Sequence, residues 1–336
     1  MKIAVDAMGG DHAPIEIVRG AELAVAEYGC EVTLIGKEDQ IVPLVQRSPY
    51  WQKAIHVVPA NDDIGMDAVP TEAVRKHKEA PIVIAARMVK EGQADAMISA
   101  GNTGVTMVAA LLGLGRIQGI ERPAIGTVLP TETGGCLVVD VGANVDCRSS
   151  HLYQFGLMGL AYAERILGIA RPRLGLLSNG EEASKGNDLV LQAYSRFKED
   201  GSINFVGNIE GRDITKGKVD VLVCDGFIGN VVLKFAEGMS ESIFGLLRQG
   251  IQASWRSRLG GLLLKPALKG IVKRLDYTEY GGAPLLGVDG VCIIAHGSSN
   301  AKAIKNAIRV AMESVQVDLP GVIAEMVQTR TQKEEG

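Results

Sequence analysis

Six short apolar runs in this chain each stop abruptly at glycine mixed with Asp, Asn, Ser or His. The stops are Asp6-Ala7-Met8-Gly9-Gly10-Asp11-His12, Ser99-Ala100-Gly101-Asn102-Thr103-Gly104 and Asp140-Val141-Gly142-Ala143-Asn144. Three more are Ser178-Asn179-Gly180-Glu181, Asp225-Gly226-Phe227-Ile228-Gly229-Asn230 and Ala295-His296-Gly297-Ser298-Ser299-Asn300. In an open parallel sheet, ligands bind outside the carboxyl ends of the strands, where such loops meet. Gly admits close backbone approach, and the neighbouring amides, hydroxyls and carboxylates offer hydrogen bonds. The six endings together predict one active-site rim.

Helical patterns fall between these runs. Strands are expected at Lys2–Asp6, Glu31–Gly36, Ile55–Val58, Ala94–Ser99, Ile125–Leu129, Leu137–Asp140, Arg173–Ser178, Asn204–Gly207, Val219–Cys224 and Val291–Ala295. Helices are expected at Pro14–Tyr28, Pro81–Glu91, Asn102–Leu114, Ser150–Leu167 and, as one piece, Ser299–Gln328. Such alternation predicts a three-layer α/β/α unit with a mostly parallel sheet, residues 1–336 forming a single catalytic body.

That rhythm breaks between Gly238 and Asp276. Apolar residues there recur at steps of three or four, first from Phe244 to Leu262 and again from Leu264 to Leu275. Two amphipathic helices joined by a turn at Gly260-Gly261 are expected, inserted over 239–276. Between Ser242 and Leu275 stand seven basic residues and no acidic one, a local +7 in a chain whose formal charge is −4. Arg248, Trp255, Arg256, Arg258, Leu262, Leu263, Lys265, Lys269 and Lys273 are therefore candidates for contact with an anionic membrane or an acidic protein. The competing assignment for the same apolar faces is a dimer seam.

Several chemistries lose ground. No GxGxxG follows a strand, and GxxxxGK[ST], GxSxG and HExxH are absent. This counts against standard dinucleotide redox chemistry, P-loop phosphoryl transfer, elbow serine hydrolysis and zincin chemistry. The five cysteines form no CxxC pair, and no Cys/His/Asp group has metal-ligand spacing, so neither a metal nor another cofactor is expected. Aromatics make up 4% of the chain, too few for stacking of nucleic-acid bases. With no secretory segment and no bilayer-length apolar run, a cytoplasmic protein at most peripherally bound to membrane is expected.

Anion binding gains ground. Gly-Asn pairs at 101–102, 186–187 and 229–230 each precede an apolar helical pattern, and a helix N-terminus is a ready anion site. Asn102, Thr103, Gly104, Lys185, Gly186 and Asn187 are candidates to hold phosphate, with Lys234 ranked behind Lys185 because it falls inside a helix. Asp225, Gly226 and Gly229 are further candidates to bind substrate or phosphate, and Asn230 with neighbouring N–H groups is the candidate to serve an oxyanion. His12 and His296, each in a strand-exit loop beside glycine, are the candidates for proton transfer. Asp6, Gly9, Gly10, Asp11, Ser99, Gly101, Asp140, Asn144, Gly297 and Ser298 complete the expected rim.

KIAVDAMGGDHAP (Lys2–Pro14), ISAGNTG (Ile98–Gly104), DVGANVD (Asp140–Asp146), LSNGEEASKGN (Leu177–Asn187), NIEGRDI (Asn208–Ile214), CDGFIGNVVLK (Cys224–Lys234), YGGAPLLG (Tyr280–Gly287) and AHGSSN (Ala295–Asn300) resemble, in order and over nearly the whole chain, the bacterial phosphate acyltransferases of phospholipid synthesis. The resemblance implies a fold like phosphotransacetylase and the isocitrate dehydrogenase group, without the dinucleotide. It implies a homodimer, peripheral at the membrane, that moves a fatty acyl group from acyl carrier protein to inorganic phosphate. The acyl phosphate would feed a membrane glycerol-3-phosphate acyltransferase. Rival expectations are an acyl-CoA-dependent phosphotransacetylase-like enzyme, a nicotinamide-dependent dehydrogenase on a related scaffold, and a non-catalytic membrane-surface regulator.

Overall fold

A computed structural model describes every residue except Met66, 276–280 and 335–336. The strands are β1 (Lys2–Asp6), β2 (Glu31–Gly36), β3 (Ile55–Pro59), β4 (Ala96–Ser99), β5 (Ala124–Thr131), β6 (Gly134–Val139), β7 (Leu174–Ser178), β8 (Phe205–Glu210), β9 (Val221–Val223), β10 (Ala283–Leu286) and β11 (Val291–Ile294). The helices are α1 (Ile15–Tyr28), α2 (Glu38–Val45), α3 (Pro70–Lys76), α4 (Pro81–Lys90), α5 (Thr103–Gly113), α6 (Ser149–Arg165), α7 (Asp188–Glu199), α8 (Gly226–Gln252), α9 (Trp255–Leu275), α10 (Ala301–Gln316) and α11 (Leu319–Glu334).

All strands join one sheet, ordered β3-β2-β1-β4-β11-β10-β5-β6-β9-β7-β8. The five strands at one side are mutually parallel, as are the four at the other. Between them β11–β10, β10–β5 and β5–β6 pair antiparallel. Three reversals leave the two parallel sets running in opposite directions, so the six polar endings belong to two sets of strand ends, three to each. Register brings them back together. Ala283 opposes Ile294, Leu285 opposes Ile125 and Gly126 opposes Val139, so β11 and β6 finish at nearly the same level from opposite sides. The endings form two rows that face each other across the junction.

Side chains alternate across the sheet as strand geometry dictates. Ala4, Met97, Cys136, Val138 and Leu222 face one continuous core beneath α4 and α5. On the reverse face the core is divided. Ile3, Val5, Ile98 and Ile293 pack with α1 and α10, while Leu137, Val139, Val221 and Val223 pack with α6, α7 and α11. The division falls between β11 and β10, since Ile293 belongs to the first group and Leu286 to the second. Phe155 and Phe197 are fully buried in the second, and Phe197 stacks on Phe205 at 5.3 Å. Each such buried ring contributes roughly 1.5–3 kcal/mol.

Some sequence expectations are corrected. β10 is not expected from sequence; its Pro284 argues against a strand, yet it pairs with Ile293 of β11. The last helix is two, because Asp318 takes a left-handed φ of 48° between α10 and α11. The hairpin turns at Ala253-Ser254, not at Gly260-Gly261. The Ser254 hydroxyl accepts the Ser257 N–H at 3.0 Å and so starts α9. Gly261 lies inside α9, where a Cβ would come within 2.6 Å of Ile251, so this glycine serves close helix approach. The first arm is also no insertion at 239: α8 runs unbroken from Gly226, at the exit of β9.

Candidate active site

Two knots of backbone and carboxylate organise the strand exits. In the first, Asp6 is 6% exposed. Its Oδ1 accepts the N–H groups of Met8 and Gly9 at 3.0 and 3.1 Å, and its Oδ2 accepts the Ser99 hydroxyl at 2.7 Å. The Gly101 N–H donates to Ser99 Oγ at 3.0 Å, and the Asp11 N–H to the Gly297 carbonyl at 2.8 Å. A Cβ on Gly9 would lie 2.6 Å from the Gly101 nitrogen, and one on Gly10 (φ 106°) would meet the Gly297 carbonyl at 2.9 Å. Asp6, Gly9, Gly10, Asp11, Ser99, Gly101 and Gly297 are thus brought together. His12 is exposed on the turn beyond them.

In the second knot Asp140 is fully buried. Its carboxylate accepts N–H groups of Ile125, Gly142, Ala143 and Asn144 at 2.7–3.2 Å and the Asn144 amide at 2.9 Å. Asn144 Nδ2 also donates to the Pro123 carbonyl at 2.8 Å. Burial pushes the carboxyls of both Asp6 and Asp140 up, and the bonds they accept pull them back. Helix α8 is set against this knot: the Gly226 N–H donates to the Asn144 carbonyl at 2.7 Å, and a Cβ on Gly229 would fall 1.8 Å from the Asp140 carbonyl oxygen. Asp225 caps α8 through the Ile228 N–H at 2.9 Å, while the Gly229 N–H returns to the Asp225 carbonyl. The N–H groups of Gly226, Ile228 and Gly229, beside Asn230, are therefore spent on holding the helix.

Between the knots lies a pocket of about 390 Å³, whose lining includes Thr103, Val128, Gly142, Asn230, Leu233 and Ile294. Lys234, Glu237 and His296 complete its polar wall. Lys234 Nζ donates to Glu237 Oε2 at 2.8 Å and lies 3.3 Å from His296 Nε2. His296 Nδ1 is 2.8 Å from the Ser298 hydroxyl. The wall thus joins α8, from one parallel set, to the exit of β11, from the other. Asn230, Leu233, Lys234 and Glu237 stand at i, i+3, i+4 and i+7, one face of a helix. That spacing is the signal by which Glu237, absent from the sequence-based candidates, could have been found.

At the pocket's edge Asn102 caps α5 by accepting the Val105 N–H at 3.0 Å. Among the described residues the N–H groups of Thr103 and Gly104 meet no acceptor, so this helix end keeps free donors. Gly104 also packs on Pro70, whose Cγ would lie 2.8 Å from an added Cβ.

Lys185, Gly186 and Asn187 do not line this pocket. Lys185 is exposed in the exit loop of β7, and Asn187 caps α7 through the Val190 N–H at 3.0 Å. Strand β7 stands three steps from β5, roughly 14 Å at the usual strand spacing. Burial pushes the thiols of Cys136, Cys147 and Cys292 up to about 12 and that of Cys224 up as well, so none of these offers a thiolate nucleophile near neutral pH. Among the described residues, no group of three or more His, Cys, Asp or Glu could hold a metal ion.

In the hairpin Trp255, Leu262 and Leu263 are 71%, 65% and 77% exposed, and the Arg256 guanidinium lies over the Trp255 ring at 5.4 Å. Arg248 and Arg258 are exposed; the side chains of Lys265, Lys269 and Lys273 fall outside the described residues. No described helix is long and apolar enough to cross a membrane.

A family model described as fatty acid synthesis protein matches residues 1–321. The chain is 54% identical over 328 residues to a phosphate acyltransferase of Heliobacterium modesticaldum, covering 97% of this chain and 98% of that one. It is 55% identical over 316 residues to a phosphate acyltransferase of Pelotomaculum thermopropionicum, covering 94% and 92%. Among solved structures, a phosphotransacetylase from Streptococcus pyogenes superposes with a TM-score of 0.65 at 19% identity, covering 94% of each chain. That last likeness is one of fold.

Proposed function

The chain belongs to the fatty acid synthesis protein family, and on that premise we propose that it is an acyltransferase carrying a fatty acyl group from a thioester to inorganic phosphate, in phospholipid synthesis. The observation that carries the site is the meeting of Lys234, His296 and the free N-terminus of α5 in one pocket. Phosphate sits against the N–H groups of Thr103 and Gly104, where the helix end favours an anion, with Lys234 as its counter-charge. The acyl chain lies along Val128, Leu233 and Ile294.

Phosphate is itself the nucleophile. One of its oxygens forms a bond to the thioester carbon, the carbon–sulfur bond breaks, and the leaving thiolate takes up the proton released by the phosphate. His296 carries that proton, its ring oriented by Ser298 and Lys234. Asn230, on the same wall, donates to the developing oxyanion. Glu237 fixes the Lys234 ammonium. The carboxylates of Asp6 and Asp140 hold the loops in place. Of the remaining expected residues, Asp11 is held against Gly297 with His12 next to it on an exposed turn, and Lys185 and Asn187 stand at a second helix end open to an additional anion.

The donor is acyl carrier protein, and the product passes to a membrane-bound glycerol-3-phosphate acyltransferase. Exposed Ile228, Val231, Phe235 and Met239 form one stripe along α8, which supports a homodimer seam. The basic, apolar hairpin tip supports peripheral attachment to an anionic membrane at the cytoplasmic face. The test is to trap product with hydroxylamine: hydroxamate formed beyond the enzyme-free reaction of hydroxylamine with the thioester should appear only when phosphate is present. Phosphate-independent hydroxamate above that background would indicate an acyl-enzyme and overturn the mechanism. Turnover of acyl-CoA faster than acyl carrier protein would favour the phosphotransacetylase-like alternative.

A further inference from the structure

A second concavity, of about 550 Å³, is lined by Arg116, Arg122 and Arg148 with Glu121, Asp146 and His151. Its charges are unequally engaged. His151 Nδ1 accepts the Arg148 N–H at 3.1 Å, which leaves the ring proton on Nε2, 3.0 Å from Glu121 Oε2. Arg116 donates to the Glu121 carbonyl. Among the described residues, Arg122 and Arg148 have no carboxylate within ion-pair distance, and both are exposed. Asp146, on the rim, is the remaining acid. Val145, beside it, is 61% exposed.

The position of these arginines relative to the reaction pocket decides their use. Arg122 stands three residues before Ile125, and Arg148 six after Gly142, and both Ile125 and Gly142 line the reaction pocket. Three extended residues span at most about 11 Å. The two segments are locked together by the Asp140 carboxylate and by the Asn144 bond to Pro123. A partner held on these arginines therefore sits on the same locked segments that supply Ile125 and Gly142 to the reaction pocket.

We infer that Arg122 and Arg148, with Arg116 and Val145, form the docking surface for an acidic carrier protein that delivers the acyl thioester into the neighbouring pocket. The inference rests on the acyl-transfer reading above and extends it to where the donor binds. A chain of formal charge −4 repels an acidic partner except at local basic patches. The hairpin is also basic, but from Lys234 to Gln252 along α8 is roughly 27 Å at 1.5 Å per residue. A carrier seated there would hold its thioester far from the phosphate.

The test compares two donors on the full-length protein: acyl carrier protein, and the neutral acyl thioester of N-acetylcysteamine. Replacing Arg122→Glu and Arg148→Glu together should lower kcat/KM for the carrier-bound acyl group about tenfold or more, mainly through KM, as charge reversal at a steering surface does. Turnover of the small thioester should stay within about twofold of the parent protein, and added salt should weaken carrier turnover in the parent but not in the variant. Equal losses with both donors, or no loss with either, would overturn the docking surface. Should the charge-reversed protein melt early, the pair Arg122→Ala and Arg148→Ala gives the same comparison, with a smaller selective loss expected and an unselective one overturning it. If the parent protein makes acyl phosphate from neither donor, it is the acyl-transfer reading that fails.

Discussion

In sequence Lys185 outranks Lys234 as a phosphate ligand, because a lysine in a polar strand-exit loop is a more usual binding residue than one inside a helix. Three-dimensional placement reverses that order. Lys234 touches His296 across the pocket, whereas Lys185 is exposed on the β7 exit. Replacing Lys234→Ala should therefore reduce kcat/KM for phosphate by about 10²-fold, the scale of losing one fixed charge at a reacting centre. Lys185→Ala should change it by less than about threefold. Equal losses, read from initial rates at varied phosphate, would return Lys185 to the site. Local signals in the sequence singled out His296, Asn230 and Thr103, which the fold brings to one pocket. The sequence could not rank the lysines, because their distance from the pocket depends on strand order.

At the scale of elements, strands with polar endings were legible because burial on both faces leaves an unmistakable apolar run. What stayed hidden was direction. Nothing in the run Leu137-Val138-Val139 of β6 tells which way it lies beside β5, so the arrangement of the exits as two facing rows emerges only from the sheet. The hairpin turn was misplaced for a related reason, since Gly260-Gly261 carries the composition of a turn and is used for helix contact. The β7 exit is itself pinned by a small ionic cluster. Asp213, almost wholly buried, receives Lys216 Nζ at 2.8 Å and Lys218 Nζ at 3.0 Å, and Lys218 reaches Glu181 of that loop at 2.7 Å. The Lys216 and Lys218 bonds hold the Asp213 carboxyl down to about 2, against an ordinary value of 3.8. A depressed carboxyl stabilises the fold above its unfolded value and loses that contribution as the pH falls through the folded one. Thermal melts should thus show the parent protein more stable than Asp213→Asn at neutral pH, with the gap closing between about pH 4 and pH 2. A gap that stays constant over that range would contradict the assignment.

At the scale of the whole molecule, composition pointed to a charge asymmetry, and the structure shows it carried on the helical arm formed by α8 and α9. Replacing Trp255, Leu262 and Leu263 together by Ser should release the protein from anionic vesicles while leaving its melting temperature within about 2 °C, since these side chains are exposed and cover no core. Each exposed basic residue near the surface adds roughly 1 kcal/mol, so binding should also fall steeply with salt. Vesicle sedimentation reads both. Unchanged sedimentation of the triple variant would remove the membrane role from the arm and leave it to subunit contact.

The divided core behind the sheet has a mechanical consequence. A slab backed continuously on one side and in two pieces on the other flexes most readily along the gap. That gap, between β11 and β10, passes directly behind the reaction pocket, whose lining takes Ile294 from one strand and Ala283 from the other. His296 hangs from one half and Lys234 from the other, so their separation is the gauge of that flexing, and an anion gripped by both would stiffen the molecule along its weakest line.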